Sequence, residues 1–187
     1  MNTRTESSLL AGIVLAGGLS SRMGQDKARL LWRGRPLLTH MCGLLEQSGA
    51  RPVRVSGDYP DFDAVPDKLP GCGPLGGLYS VLPILDDGPA WVVPVDMPRL
   101  NKALLGRLRD AGPAPCVIFQ GQPLPMRLNI DDACRKVVAS MVQQREGPRS
   151  LHALQARLGV LELPLSDDVA PWLVNCNTPA QWEEVAS

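Results

Sequence analysis

Hydrophobic and polar positions along the chain alternate between two periods. Leu9 to Leu15 is a short apolar run of strand type, and Arg51 to Ser56 sets Val53 and Val55 against Arg54, as a half-buried strand does. Ala90 to Val95 is almost continuously apolar, which predicts a central parallel strand covered on both faces; Pro94 suggests its end or an edge. Ala64-Val65, Cys116 to Gln120, Leu124 to Asn129 and Val160 to Leu165 read as further extended pieces, with Gly121-Gln122-Pro123 a turn. Between them the spacing becomes helical. Pro36 opens a helix carrying Leu37, Leu38, Met41, Leu44 and Leu45, closed by Ser48-Gly49. Leu78, Val81, Leu82 and Leu85 mark a second helix, with Pro74 in its first turn. Asn101 caps a third, Asp131 or Asp132 a fourth running to near Gly147-Pro148, and Arg149-Ser150 starts a fifth with Leu151, Leu154 and Leu158 in phase. A last helix carries Trp182 and Val185. Strands alternating with helices argue one α/β domain over residues 1–187, with a mostly parallel sheet and helices on both faces.

Composition narrows the class. The 187 residues, 44% hydrophobic, are enough for one core that buries about 70% of the unfolded surface. Nineteen basic and nineteen acidic residues leave no net charge, which argues against a general binder of nucleic acid or of anionic membranes. The five cysteines are odd in number and dispersed without a Cys-x-x-Cys pair, as expected of reduced thiols in the cytoplasm. The first eight residues are expected to form a flexible polar arm, and the apolar run after them is too short for a signal peptide or a membrane span.

Candidate chemistry begins where the first strand ends. Leu15-Ala16-Gly17-Gly18 leads through Arg22 and Gly24 to Asp26-Lys27. A strand emptying into glycines and two cations suits a phosphate-binding turn, since glycine lets backbone N–H groups approach an anion that Arg22 and Lys27 neutralise. The glycines do not keep the dinucleotide-fold spacing, and Lys27 is neither adjacent to Gly24 nor followed by Ser or Thr as in a P-loop. The loop is therefore a third kind of nucleoside triphosphate site. A second cluster, Gly71 to Gly77, reads equally as close helix packing or as part of a site. Asp96 ends the central apolar run, at the end of an α/β sheet where ligands bind; Asn101 already supplies the following cap, so Asp96 reads as a magnesium ligand working with substrate phosphates.

Leu-Ala-Gly-Gly at 15–18, Ser-Arg-Met-Gly at 21–24 and Asp26-Lys27 together resemble the signature of the molybdenum cofactor guanylyltransferases, MobA-like nucleotidyltransferases of Rossmann-like fold. Gly73-Pro74-Leu75-Gly76-Gly77, Asp96-Met97-Pro98, Gln122-Pro123-Leu124 and Asn175-Cys176-Asn177-Thr178-Pro179 resemble the family's later motifs in order. The resemblance implies that Leu15, Ala16 and Gly17 touch a guanine nucleotide through backbone groups, with Gly18 in the same loop, and that Arg22 and Lys27 meet its phosphates. It implies that Asp67 contacts the nucleoside end, that Asp96 binds Mg²⁺, and that Asn175 and Asn177 lie near a pterin-bearing acceptor, with Gln122 to Leu124 a turn on the acceptor side. Ser56 stands where the family often has Asn, so the resemblance counts it among the nucleotide-binding residues, and Gly17 separates this loop from the Leu-Ala-Ala-Gly of a cytidylyltransferase branch.

The implied reaction is attack by the terminal phosphate of molybdopterin, with or without molybdenum, on the α-phosphorus of GTP, releasing pyrophosphate. Such a nucleophile needs no strong base, which fits a site offering cations and a carboxylate but no activated His or Cys. Implied partners are GTP, the pterin, other cofactor-biosynthesis proteins and the apo-molybdoenzymes that receive the product. The rivals are a cytidylyltransferase or sugar-phosphate nucleotidyltransferase of the same fold, and a carrier that binds cofactor without chemistry.

Overall fold

The structure is a computed structural model that describes residues 10–17, 26–144 and 147–186. One sheet carries six strands: β1 (Ala11–Leu15), β4 (Val53–Ser56), β5 (Gly88–Pro94), β6 (Cys116–Phe119), β7 (Gln122–Ile130) and β8 (Val160–Leu163), in the order β4-β1-β5-β7-β6-β8. A two-stranded ribbon, β2 (Leu31–Trp32) and β3 (Arg35–Pro36), stands apart from it. Its turn places Arg33 and Gly34 at φ 49° and 77°, the positive pair that a two-residue hairpin with native twist requires. The helices are α1 (Leu37–Gln47), α2 (Gly73–Val81), α3 (Lys102–Asp110), α4 (Asp132–Gln143), α5 (Leu151–Leu158) and α6 (Pro179–Ala186).

Strand alternation divides the core into two layers. Val14, Val55, Trp91, Val93, Val117 and Phe119 face the side covered by α1, α3 and α6. Ile13, Leu15, Val92, Ile118, Met126 and Leu128 face the side covered by α2, α4 and α5. Ala90 to Val93 are at most 1% exposed, so both faces of β5 are covered, as its unbroken apolar run predicts. Each fully buried Val, Leu or Ile in these layers contributes about 1.5–3 kcal/mol. Side-chain bonds brace the layers. The Trp91 indole N–H donates to Leu105 O (3.1 Å), and Arg127 donates to the carbonyls of Arg109, Ala111 and Gly112 (2.7–3.0 Å), closing the C-terminal end of α3.

The helix caps agree with the sequence. Asn101 accepts from Leu104 N, Asp131 rather than Asp132 accepts from Cys134 N, and Ser150 accepts from Ala153 N. Some details differ from expectation, among them the end of α4 at Gln143 rather than near Gly147-Pro148. β4 begins at Val53, because Pro52 has no N–H and offers only its carbonyl, to Gly12 N. The turn before β7 is Gln120-Gly121 and not Gly121-Gln122-Pro123; Gln122 and Pro123 are already strand. The β6–β7 register slips at Ile118/Phe119, so that Pro123, Leu124 and Pro125 drop out of the ladder where prolines could not donate to it. β7 also runs against its neighbours, making it the one antiparallel strand of the six.

The connections create the site. From β1 the chain passes through α1 to β4 on one side, then through α2 to β5 on the other side of β1. β1 therefore ends at a topological switch point, where the loops leaving its carboxyl end separate and open a crevice.

Candidate active site at the carboxyl ends of the strands

The crevice beside the end of β1 is a cleft of about 680 Å³, within the range that holds small molecules. Ala16 and Gly17, Tyr59 and Asp67, and Pro70, Gly71 and Gly73 at the entry to α2 all line it. The backbone N–H groups of Ala16 and Gly17 both donate to Ser56 O (2.9 Å each), and Leu15 O accepts from Val95 N (3.1 Å). Leu15 is thus a core residue, and with their N–H groups engaged Ala16 and Gly17 keep their carbonyl oxygens as the remaining backbone polar groups, that of Ala16 lying 3.5 Å from the Tyr59 hydroxyl. Those acceptors suit the donor edge of a nucleobase.

Gly57 makes this close approach of loops possible. At φ 140°, a Cβ there would lie 2.9 Å from the Tyr59 ring and 3.1 Å from Gly17 N. Ser56 is 1% exposed and does not line the cleft; its hydroxyl donates to Asp67 Oδ1 (3.4 Å), so it orients the carboxylate instead of meeting a ligand. Burial raises the Asp67 pKa, with the Ser56 bond opposing the shift. Ser56 also fixes the meaning of the second glycine cluster. A Cβ on Gly77 would sit 2.3 Å from Ser56 Oγ, so this glycine lets α2 pack on β4.

Three segments distant in sequence meet around Lys27. Its Nζ lies 3.1 Å from Asp96 Oδ2 and 2.5 Å from Asn177 Oδ1. Asp96 leaves the end of β5, and its backbone carbonyl accepts from Cys176 N (2.9 Å), which holds the Asn175–Asn177 segment against the strand. Burial beside Asp96 pushes the Cys176 thiol up to about 11, so it stays protonated. Asn177 is steadied from the other side. Gln181 Oε1 accepts from Asn177 N and Thr178 N, while Thr178 Oγ1 accepts from Gln181 N, a reciprocal cap on α6. Trp32 meets Trp182 edge-on at 6.0 Å, tying the ribbon after Lys27 to the same helix.

The structure therefore joins Lys27, Asp96 and Asn177, and separately Ala16, Gly17 and Asp67. Asn175 is half-buried beside Cys176, with no side-chain hydrogen bond among the described residues. Gly18 and Arg22 lie outside the described residues. Two functional elements escaped the sequence reading. Thr178 and Gln181 have the spacing of a capping box, so that signal was present. Tyr59 donating to Asp26 Oδ1 (2.8 Å) joins residues 33 positions apart and had none.

This arrangement can be set beside known proteins. The family model described as the MobA-like NTP transferase domain matches residues 12–159. A molybdenum cofactor guanylyltransferase of Xanthomonas euvesicatoria pv. vesicatoria is 47% identical over 175 residues, 93% of each chain. A probable molybdenum cofactor guanylyltransferase of Synechococcus elongatus is 33% identical over 92% of this chain and 96% of its own. Among solved structures, molybdopterin-guanine dinucleotide biosynthesis protein A of Archaeoglobus fulgidus superposes with a TM-score of 0.74 at 21% identity, over 95% of this chain and 97% of its own. The model match runs from the second residue of β1 to the residue before β8, taking in the switch point, the cleft and the Lys27–Asp96 pair, and the chain belongs to the MobA-like NTP transferase domain family.

Proposed function

We propose that this protein transfers the guanylyl group of GTP to the terminal phosphate of molybdopterin, releasing pyrophosphate and the guanine dinucleotide form of the cofactor. The observation that carries the reading is the Lys27 ammonium, held by Asp96 and Asn177 at the ends of the strands beside a base-sized cleft. In the cleft, the Ala16 and Gly17 carbonyls and the Asp67 carboxylate are acceptors. Guanine presents adjacent N1–H and N2–H₂ donors on one edge, whereas cytosine offers a single amino group there. A methyl at Gly17 would stand in ordinary contact with the carboxylate, 3.6 Å from Asp67 Oδ2, which places this residue directly beside Asp67.

Lys27, already oriented, neutralises charge that builds on the phosphates as the bond from the α-phosphorus to the bridging oxygen breaks and an acceptor oxygen bonds in its place. The acceptor phosphate is an anion at neutral pH, so no side chain has to remove a proton. Asp96 and Asn177 also fit a hard divalent ion: their oxygens already share one cation, the Lys27 ammonium, and one carboxylate with phosphate oxygens is a usual magnesium set. Mg²⁺ bound there would draw charge from the phosphate oxygens. Arg22 adds a second cation from the loop, and Asn175 and Asn177 face the acceptor. Five unpaired thiols support a cytoplasmic setting, from which the product passes to apo-molybdoenzymes.

Pyrophosphate release tests this directly, using each of the four nucleoside triphosphates with Mg²⁺, with and without molybdopterin, and with a chelator. Release with GTP alone, dependent on the pterin and lost on chelation, is the expected result. Release with CTP instead would reassign the base, and no release with any nucleotide would refute the reading.

A further inference from the structure

Ala16-Gly17 and Asp26 flank residues 18–25 in the chain, and one phenol meets both flanks. The Tyr59 hydroxyl donates to Asp26 Oδ1 at 2.8 Å and lies 3.5 Å from the Ala16 carbonyl. Asp26 Oδ1 also accepts from Ala28 N (3.0 Å), capping the single helical turn Lys27–Arg29 that carries the catalytic lysine. Arg29 completes the cluster: it lies 3.6 Å from Asp26 Oδ2, 3.0 Å from Asp61 Oδ2, and its guanidinium sits 6.0 Å from the centre of the Tyr59 ring. Tyr59 comes from the loop after β4 and lines the nucleotide cleft. Burial and the Asp26 carboxylate keep its phenol protonated and therefore a donor.

We propose that Tyr59 is a positioning residue: through Asp26 it holds the turn that aims Lys27 at Asp96 and Asn177, linking the wall of the nucleoside cleft to the cation that acts on the phosphates. The proposal rests on the guanylyl-transfer reading for its kinetic consequence but not for its geometry. A phenol acting only as packing would be replaced by Phe without kinetic effect on the folded protein.

The test is Tyr59→Phe, assayed by GTP-dependent pyrophosphate release and by thermal unfolding. Losing a hydrogen bond to a carboxylate is expected to lower kcat about 10- to 100-fold. KM for GTP should stay within about threefold, because Gly17 and Asp67 are untouched and the Ala16 carbonyl loses only a neighbour at 3.5 Å. In a Lys27→Ala background the same substitution should cost nothing further, since Tyr59 acts through Lys27. Asp26→Asn, which keeps the accepting oxygen, should retain more activity than Asp26→Ala. Wild-type kcat in Tyr59→Phe, or an equal loss in the Lys27→Ala background, overturns the proposal. A second readout needs no turnover: the NMR resonance of isotope-labelled, reductively dimethylated Lys27, assigned with Lys27→Ala, should shift in Tyr59→Phe. If the wild type releases no pyrophosphate, the guanylyl-transfer reading fails while this shift still decides the role of Tyr59, and an unmoved resonance overturns it.

Discussion

Replacing Gly77 by Ala isolates the contact on which the nucleotide cleft is built. In the middle of a helix such a change ordinarily stabilises by about 1 kcal/mol, because alanine gives up less backbone freedom than glycine. At Gly77 the new Cβ would sit 2.3 Å from Ser56 Oγ and 3.2 Å from both Ser56 Cβ and Leu15 Cδ2. Rotating the hydroxyl away relieves only the first contact, and it breaks the bond to Asp67. The other two need a few tenths of an ångström of give, from the Leu15 side chain and from the spacing between α2 and β4. Overpacking of this kind costs about 1–3 kcal/mol, which exceeds the propensity gain. A net loss of up to about 2 kcal/mol is expected, a fall in Tm of up to about 8 °C for a chain of this size. KM for GTP should rise with it as Asp67 loses its hydrogen-bond donor. Gly106 in α3, with nothing within 4 Å of its would-be Cβ, and Gly43 in α1, with only Gln47 Nε2 at 3.8 Å, are controls for the intrinsic term. Gly106→Ala and Gly43→Ala should each raise Tm by up to about 4 °C. In a Ser56→Ala background, Gly77→Ala should cost less than in the wild type. Thermal unfolding of these variants checks the reasoning, and a Gly77→Ala protein as stable as Gly106→Ala would refute it.

Lys27→Ala should lower kcat by about 10²–10³, the usual effect of removing a preorganised charge-stabilising donor. The pair it breaks with Asp96 is only partly exposed, so a Tm loss of about 2–4 °C, near 1 kcal/mol, is expected beside it. Pyrophosphate assays and melting curves on one preparation separate the two effects. Asp67→Asn should weaken GTP binding, by calorimetry, yet stabilise the free protein at neutral pH. The sign follows from burial: with a folded pKa above the ordinary carboxylate value, Asp67 favours folding in acid, and that contribution is lost as pH rises through the folded pKa. The stability gap between variant and wild type should therefore close as pH falls below about 4, and an unchanged gap would count against it.

Much of this protein is determined by local rules that its sequence states openly. The short apolar run of β1, the alternation along β4, the unbroken apolar run of β5, and the caps at Asn101, Asp131 and Ser150 depend on neighbours a few residues away, so the α/β order was legible. The place of Asp96 was legible too, because strand ends in such sheets converge at one edge. What the sequence left open involves partners far along the chain. The reversal of β7 depends on which strands flank it, since an extended segment pairs in either direction. Ser56 was read as a ligand contact, and only the packing of α2 shows its side chain turned inward to serve Asp67. Lys27 and Asn177 are 150 residues apart, and Tyr59 and Asp26 are 33 apart. No periodicity or spacing encodes such pairs. They exist because folding the sheet brings the ends of β1, β4 and β5 and the start of α6 to one place, where short-range hydrogen bonds and charge decide which side chains meet.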